Sequence, residues 1–477
     1  MPQAILEPTA GLGNFVIAAL DALDTIQAGV AAEISGEHVA ALQDQLATHP
    51  KGSKITICHT DFFGTNWEPI LDALPQPLLI IGNPPWVTNA QLGVLVSENL
   101  PPKSNFKDQA GITALMGSSN FDISEWILLK LIELLQGRKG QLAILCKTAV
   151  VRRVLQQVWQ NSAAFGTFHL YQFDSQAVFN VSVDACLFMY ETGTELSFRC
   201  PVYQGLSQDR LVAEIGYRDR QLLADATHYD RWSHLQKQKG GATRYQWRSG
   251  IKHDCAQVLE LNQENGYFVN KLGEGYELES TYLYPLWKSS DVANAGEKRP
   301  FRWLLVPQHA IGESNLPIKA NAPRTWHYLQ DHAPYFDRRK SRIYKNHPRF
   351  SIFGVGAYTF APWKVAISGL YKKLEFVAVG PQDHKPVVFD DTCYFLAAEN
   401  EAEATLLADL LNSEPTREFF ATFIFWDAKR PITATILNRL DIWAIAEQLG
   451  RKQHLADIQR ANYPFRATQL SLFKEFS

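Results

Sequence analysis

The first 190 residues alternate short apolar runs with segments whose apolar residues recur at helical spacing. The apolar runs predict buried strands, and the spaced segments predict amphipathic helices. Strands are expected over residues 4–6, 29–33, 54–58, 78–81, 141–146, 169–173 and 185–190. Helices are expected over residues 13–22, 37–48, 123–135 and 150–160. Strands separated by helices indicate a doubly wound, mostly parallel α/β sheet of the Rossmann-like kind.

The pattern of apolar and polar positions changes after about residue 195, where short β-like runs are separated by Gly, Pro, Asn and charged residues. These runs and one amphipathic helix predict an α+β domain, with runs at 212–215, 267–269, 364–367 and 376–379 and the helix at 401–412. We therefore expect a first domain over residues 1–195, a second over 196–455 with a connecting segment at 196–245, and a tail over 456–477. A long polar stretch at residues 88–119 predicts a functional loop.

Composition narrows the class of protein. The length of 477 residues favours two or three domains. A formal net charge of −3 gives no global argument for binding nucleic acid, so any DNA surface must be a local basic patch. Six scattered cysteines predict reduced thiols, with neither disulfides nor a metal site. No signal peptide or apolar stretch of about 18 residues appears, so a cytoplasmic protein without a membrane partner is expected.

The motif Asn83-Pro84-Pro85-Trp86 directly follows the strand predicted at residues 78–81. In an open α/β sheet, ligands bind at the carboxyl ends of the strands, which is where this motif lies. The two prolines cannot donate hydrogen bonds and hold the backbone stiffly. The motif therefore offers hydrogen-bond acceptors and a flat ring, which suit a planar group that carries an NH2.

Three further features follow predicted strands. Gly11 and Gly13 lie in the turn after the first strand, where glycines let a ligand approach the backbone. Glu33 ends the second strand, where an acidic side chain can hold the two hydroxyls of a ribose. Asp61-Phe62 follows the third and could bind an adenine amine and cover its face. Alone, each feature favours a tight turn, a surface carboxylate or a core ring; together they predict a nucleoside pocket beside the amine-holding motif.

These motifs resemble the gamma-class adenine-specific DNA methyltransferases of restriction–modification systems, the TaqI-type enzymes. Their order is the family's: glycine turn, ribose acid, adenine acid, Asn-Pro-Pro-aromatic and a large target recognition domain. Residues 5–18, 32–42 and 60–69 resemble the cofactor motifs, and residues 79–86 resemble the catalytic motif. Weaker similarity continues through residues 120–155, 176–190, 410–414 and 425–442.

The resemblance implies S-adenosyl-L-methionine as cofactor and a flipped adenine in duplex DNA as substrate. The implied cofactor-binding residues are Glu7, Pro8, Thr9, Gly11, Gly13, Glu33, Ile34, Asp61, Phe62 and Asn83. Glu33 would bind the cofactor ribose, and Ile34 with Phe62 would sandwich its adenine. Asp61 would accept a hydrogen bond from that adenine's amine. A motif that precedes the glycine turn in this class is missing, because only four residues come before Ile5.

The implied catalytic residues are Asn83, Pro84, Pro85, Trp86 and Phe179. The Asn83 side-chain oxygen and the Pro84 carbonyl would accept the two amine hydrogens of the target adenine. Trp86, where the commoner residue is Tyr, and Phe179 would stack on its two faces. Without the resemblance, Phe179 is better interpreted as a core ring near a strand start.

Basic residues cluster around Tyr344 and predict phosphate contacts in the recognition domain: Arg338, Arg339, Lys340, Arg342, Lys345 and Arg349. Lys429 and Arg430 form a second candidate DNA contact. The alternative for the larger cluster is a solvated basic loop.

The tail and the possible partners complete the sequence-based expectations. Residues Gln469–Phe473 are similar to the peptide by which bacterial proteins bind the replicative sliding clamp, although they could equally fold back onto the core. A separately encoded restriction endonuclease is the other expected partner. Two other functions stay open: methylation of a protein glutamine or an RNA guanine amine, and a non-catalytic DNA-binding specificity module.

Overall fold

The structure is a computed structural model that describes residues 1–86, 122–180, 184–238, 244–295, 302–428 and 430–462. The predicted loop at 88–119, Lys429 and the predicted clamp peptide at 469–473 lie outside the described residues. The chain divides into two compact units, Met1–Thr227 and His228–Ser477.

A ten-stranded sheet organises the first unit in the order β10-β9-β8-β6-β7-β5-β4-β1-β2-β3. Strands β1 to β5 are mutually parallel where they pair, and β7 is the first antiparallel strand. The strands are β1 Ala4–Glu7, β2 Ala28–Glu33, β3 Ile55–His59, β4 Leu78–Gly82, β5 Gly140–Lys147, β6 Gly166–Gln172, β7 Ala185–Thr192, β8 Arg199–Gln204, β9 Leu211–Arg218 and β10 Gln221–Leu223. The α/β fold class expected from the apolar pattern is confirmed.

The helices of this unit begin at recognisable capping positions. Ser35 caps α2 through its side chain, and Asp122 caps α4 in the same way. Gly13, with φ +84°, supplies the left-handed residue before α1. The helices are α1 Asn14–Ala22, α2 Gly36–Thr48, α3 Trp67–Asp72, α4 Ile123–Leu135, α5 Thr148–Gln160, α6 Ser175–Phe179 and α7 Ala226–Trp232, the last of which crosses the boundary between the units.

The first unit extends beyond residue 195, where the sequence analysis places the end of the first domain. Strand β8 pairs in parallel with β6, with Leu170 opposite Val202, and β9 and β10 continue the sheet. Strands β8, β9 and β10 therefore form one edge of the sheet that contains β1, and residues 196–227 belong to the first unit rather than to a connecting segment. Pro201 inside β8 explains why the pattern did not predict this strand, because proline weakens a strand prediction.

The second unit contains two smaller sheets, ordered β11-β20-β17-β18 and β14-β13-β12-β16-β15-β19. The strands are β11 Arg248–Ser249, β12 Glu260–Glu264, β13 Tyr267–Val269, β14 Gly275–Tyr276, β15 Leu283–Trp287, β16 Arg302–Leu305, β17 Trp363–Ser368, β18 Val377–Val379, β19 Val388–Phe389 and β20 Cys393–Ala398. Most pairs in these sheets are antiparallel, which agrees with the predicted α+β character.

Short helices fill the remainder of the second unit. They are α8 Ala256–Leu259, α9 Ser289–Ala293, α10 Pro317–Asn321, α11 Pro323–Asp331, α12 Ala333–Asp337, α13 Glu401–Leu411, α14 Glu414–Ala421, α15 Ala434–Leu437, α16 Ile442–Gln448 and α17 Lys452–Asn462. Across the described ranges of both units, none of the helices is long and apolar enough to cross a membrane.

Candidate active site

The strand order places a topological switch point between β1 and β4. The chain moves outward from β1 to β2 and β3, and then returns to β4 on the other side of β1. Connections therefore leave the carboxyl ends of β1 and β4 in opposite directions, which opens a crevice at that edge. Glu7 ends β1, Glu33 ends β2 and Lys147 ends β5, and Asn83 directly follows β4. The sequence-predicted strand-end residues thus lie along one edge of one sheet.

The glycine turn after β1 leaves room for a ligand. Gly11 has φ +54°, and apart from its neighbours in sequence no described residue has an atom within 4 Å of the position that a β-carbon would take there. Gly13 differs, since a β-carbon there would lie 2.2 Å from Leu42 Cδ1, so that glycine is required for packing α1 against α2. The Thr9 hydroxyl is buried and has no hydrogen-bond partner among the described residues. Open space and an unsatisfied polar atom in the same turn fit a bound polar ligand.

Glu33 fixes this turn from the neighbouring strand. One carboxylate oxygen accepts a hydrogen bond of 2.7 Å from the Gly11 amide, and the other accepts one of 2.9 Å from Ser35. Each carboxylate oxygen has a second lone pair, so both can still accept from a hydroxyl group. The next residue, Ile34, is exposed and can cover the face of a flat ring.

Glu7 is an almost fully buried carboxyl at the end of β1. Burial raises the pKa of Glu7 to about 8; a hydrogen bond from the Val16 amide opposes this shift, and the charge of Glu33 adds to it. The Val16 amide donates to one Glu7 oxygen at 3.0 Å, which ties the carboxyl to the start of α1. A β-carbon on Gly82 would lie 3.7 Å from Glu7 Cγ, so Glu7 lies directly beside the end of β4.

Asp61 and Phe62 follow β3 as predicted, but in different environments. Asp61 is half-buried, and one of its oxygens accepts from the Phe63 amide at 3.2 Å. Phe62 is buried in an aromatic cluster, with ring centroids 5.2 Å from Trp67 and 5.9 Å from Trp126. The Phe62 ring is therefore fixed by packing against these two tryptophans and does not project freely into the crevice.

The Asn83–Trp86 turn presents its polar groups at the sheet edge. Asn83 is exposed, and its side chain makes no hydrogen bond with any other described residue. Pro84 is buried and Trp86 is half-buried. The Trp86 carbonyl accepts a hydrogen bond of 3.0 Å from Lys147 Nζ. The turn thus has an Asn83 side chain that is free to bind a ligand, and its backbone is hydrogen-bonded to Lys147, the last residue of β5.

Phe179 is the last residue of α6, which follows β6. Both β5 and β6 pair antiparallel with β7, so β6 runs in the same direction as β5. The segment that leaves β6 therefore starts at the same edge as the Asn83–Trp86 turn. The role of Phe179 as a second stacking ring stays a prediction.

Sequence reasoning missed Lys147 and its partner Asp122, although both lie at this edge. Lys147 Nζ donates to Asp122 Oδ2 at 2.9 Å as well as to Trp86. A lysine that directly follows the strand predicted at residues 141–146 was the available signal. Among the described residues, no group of His, Cys, Asp and Glu could hold a metal ion.

The predicted basic cluster of the second unit divides into two sets. The Arg339 guanidinium lies 3.7 Å from the Tyr344 ring centroid and donates to four backbone carbonyls, those of His253, Phe336, Arg349 and Ser351. These contacts use its donors within the fold, so we leave Arg339 out of the proposed DNA contacts.

The other members of the cluster point outward. Arg349 is paired with Asp337, and both side chains remain about half-exposed. Arg338, Lys340, Arg342 and Lys345 are exposed as well, so Arg339 is the one half-buried residue among the six of the cluster. Arg430 is also exposed and lies 3.9 Å from a carboxylate oxygen of Asp391.

Comparison with known proteins identifies the family. The chain is 43% identical over 447 residues to the Type II methyltransferase M.NspV of Nostoc sp. (strain ATCC 29411 / PCC 7524), which covers 94% of this chain and 92% of the relative. No protein-family model matches the chain.

A solved structure shares the fold of the whole chain. The Type IIL restriction-modification enzyme MmeI in complex with DNA superposes with a TM-score of 0.56 at 13% identity, covering 97% of this chain. The chain spans 66% of the length of that enzyme. The full-length relative at 43% identity decides the assignment: the chain belongs to the Type II methyltransferases of restriction–modification systems, and its cofactor is S-adenosyl-L-methionine.

Proposed function

We propose that this methyltransferase modifies the exocyclic amine of an adenine in duplex DNA, after the base has been flipped out of the helix. The observation that carries the proposal is the Asn83–Trp86 turn at the switch point, beside the glycine turn that follows β1. The exposed Asn83 side chain and the Pro84 carbonyl are acceptors, and the prolines contribute no competing N–H donors. Such a turn suits an NH2 group and a flat ring.

The reaction needs positioning more than a strong base. S-adenosyl-L-methionine supplies a methyl group that is already activated for in-line displacement. An aromatic amine is a poor nucleophile because its lone pair is delocalised into the ring. Acceptors on Asn83 and Pro84 would bind its two hydrogens, favour a pyramidal nitrogen and direct the lone pair at the methyl group.

The cofactor would lie along the ends of β1 to β3. Glu33 would accept from the ribose hydroxyls, Asp61 from the adenine amine, and Ile34 and Phe62 would line the adenine. The open space over Gly11 and the buried Thr9 hydroxyl support this placement.

Two aromatic residues would hold the flipped base. Extrusion of a base costs a few kcal/mol. Stacking on Trp86 and Phe179, at roughly 1–3 kcal/mol for each ring, is enough to offset that cost. Both residues follow strands that end at the same edge of the sheet.

The second unit would bind the duplex. Its exposed Arg338, Lys340, Arg342 and Lys345 would contact phosphates, with Arg430 as a further candidate. The similarity of the chain to an enzyme whose structure contains DNA supports this role. A separately encoded restriction endonuclease and, through residues 469–473, the sliding clamp remain proposed partners.

The test is methyl transfer by Asn83→Ala. This variant should lose methylation of duplex DNA while binding S-adenosyl-L-methionine with an affinity close to that of the native enzyme, because it lacks only an acceptor for the target amine. Asn161→Ala is the matched control, since Asn161 is an exposed residue of the same unit that follows α5 and lies outside the segments that resemble the family's motifs.

Sequencing of DNA from cells that express each variant identifies the modified base. Loss of adenine modification in Asn83→Ala alone supports the proposal. A native enzyme that methylates a protein glutamine or an RNA guanine but no DNA adenine would overturn it, as would an Asn83→Ala variant with full activity.

A further inference from the structure

One lysine contacts both residues that border the segment 87–121. Lys147 Nζ lies 3.0 Å from the Trp86 carbonyl oxygen and 2.9 Å from Asp122 Oδ2. Trp86 is the last residue of the catalytic turn. Asp122 is the first described residue after the segment 87–121, and it caps α4. The Lys147 side chain is 26% exposed and that of Asp122 is 5% exposed. The ammonium group is therefore partly shielded from water, where its hydrogen bonds are stronger than at an open surface.

The two anchors of this ammonium group are rigid. Lys147 is the last residue of β5 and pairs with Ala185 of β7, while β5 on its other side pairs with β4. The Asp122 carboxylate accepts from the Ser124 amide at 3.1 Å and from the Ser124 hydroxyl at 2.6 Å. Because the sheet fixes the stem of Lys147 and the helix cap fixes its counter-ion, the Nζ atom has a defined position.

The catalytic turn needs such an anchor. Regular pairing of β4 with β5 ends at Gly82, opposite Ile144. Pro84 and Pro85 then have no N–H, so they cannot donate to a neighbouring strand or loop. Within the two prolines only the carbonyl oxygens can take part in backbone hydrogen bonds. The carbonyl of the next residue, Trp86, is bound by a charged donor, Lys147.

We propose that Lys147, held by Asp122, is a positioning residue that sets the backbone of the Asn83–Trp86 turn and with it the Trp86 ring. The inference rests on the proposed function, in which Trp86 stacks on the flipped adenine. Lys147 does not touch the reacting atoms in this scheme. Its contribution is to keep the ring and the acceptors in register, and small displacements of such groups are costly for the rate.

The test compares Lys147→Met with a matched control, Lys51→Met. Lys51 lies in the same unit and has the same kind of contacts, because its Nζ donates to the Leu20 carbonyl at 2.6 Å and to Asp24 at 2.7 Å. Its side chain is 28% exposed, close to the value for Lys147. Each variant therefore removes one ammonium group that donates to a backbone carbonyl and to a carboxylate, although Asp24 is 96% exposed and Asp122 only 5%.

The readout is the single-turnover rate of methyl transfer to duplex DNA, with the dissociation constant of S-adenosyl-L-methionine and the melting temperature measured in parallel. We expect Lys147→Met to slow the transfer at least tenfold and to change the cofactor dissociation constant less than twofold. Lys51→Met should keep the native rate. Lys147→Arg, which can still donate to both oxygens, should recover most of the lost rate.

Asp122→Asn keeps an oxygen for the helix cap but removes the negative charge, and we expect it to slow transfer by less than Lys147→Met. If Lys147→Met does not fold, Asp122→Asn becomes the test of whether the Lys147 contact sets the transfer rate. A native single-turnover rate in Lys147→Met, or in Asp122→Asn if only that variant folds, overturns the inference. An equal slowing in Lys51→Met also overturns it, because the effect would then be general destabilisation. An active Asn83→Ala variant would instead refute the proposed function, so the two failures are distinguishable.

Discussion

The Glu33 carboxylate accepts a hydrogen bond of 2.7 Å from the Gly11 amide, which joins the end of β2 to the turn after β1. The contact spans 22 residues of sequence and holds the glycine turn in the shape that leaves space over Gly11. Glu33 therefore has two functions in the proposed site: it shapes the turn, and it offers lone pairs to a ribose.

Glu33→Ala is expected to weaken binding of S-adenosyl-L-methionine by about 1.5–3 kcal/mol, the scale of hydrogen bonds to a charged group. Isothermal titration calorimetry measures the change. Glu37→Ala is the control, because Glu37 is an exposed acid in the first turn of α2 and should leave the affinity unchanged. Equal affinities for Glu33→Ala and the native enzyme would remove Glu33 from the pocket.

The Glu7 carboxyl makes stability depend on pH. Its pKa is raised from 4.5 to about 8 in the folded protein, mainly by burial, so the folded state holds a proton that the unfolded state loses. The contribution of this bound proton to the free energy of unfolding is fully present below about pH 4.5 and is lost as the pH rises towards 8. Glu7→Gln keeps an acceptor for the Val16 amide and does not titrate.

The free energy of unfolding of Glu7→Gln should therefore rise relative to the native protein between pH 5 and pH 8, by up to about 1.4 kcal/mol per pH unit. Urea denaturation at a series of pH values measures this difference. A constant difference over that range would show that Glu7 is ionised throughout.

The two proposed stacking rings can be tested with 2-aminopurine at the target position of a duplex. Its fluorescence should rise when the enzyme extrudes the base. Phe179→Ala and Trp86→Ala should each weaken DNA binding or slow transfer by up to roughly 1–3 kcal/mol, the stacking energy of one ring. Trp86→Phe keeps a ring and should stay near the native activity. Native fluorescence and rates in both alanine variants would argue against a two-ring clamp.

The basic cluster of the second unit gives a contrast between neighbouring cations. Arg342→Ala and Lys345→Ala remove exposed charges, so each should weaken DNA binding and reduce the salt dependence of affinity by about one phosphate contact. Their melting temperatures should not change. Arg339→Ala removes donors to four carbonyls and should lower the free energy of unfolding by about 1–3 kcal/mol. If the salt dependence of DNA affinity is unaltered in both Arg342→Ala and Lys345→Ala, the duplex does not bind at this cluster.

The sequence predicted most of the first unit because its strands are buried and its helices are amphipathic. The helix expected at residues 123–135 has those bounds in the structure, and β1, β2 and β4 differ by one residue at an end. Strand β8 was missed because Pro201 interrupts its apolar pattern. The second unit was predicted only in part, since its short strands and helices are fixed by tertiary contacts rather than by a long periodic pattern.

The candidate site was predictable as far as strand ends could reveal it. Glu7, Glu33 and Asn83 lie at the expected edge because parallel strands finish there. The role of Arg339 could not be read from a run of basic letters, because its partners are backbone carbonyls set by the fold. The contact between Lys147 and Trp86 likewise joins residues 61 apart in the chain.

The register of β1 has a consequence for how the enzyme folds. Ala4 pairs with Ala28 on one side and with Leu78 on the other, so its partners are 24 and 74 residues away (28 − 4 and 78 − 4). Such distant parallel pairings form slowly, and the crevice does not exist before both are made. A ligand of the crevice selects the completed sheet and, at a hundredfold excess over its dissociation constant, adds about 2.7 kcal/mol to stability. In the proposed placement of S-adenosyl-L-methionine, the methyl donor would therefore also stabilise the folded enzyme.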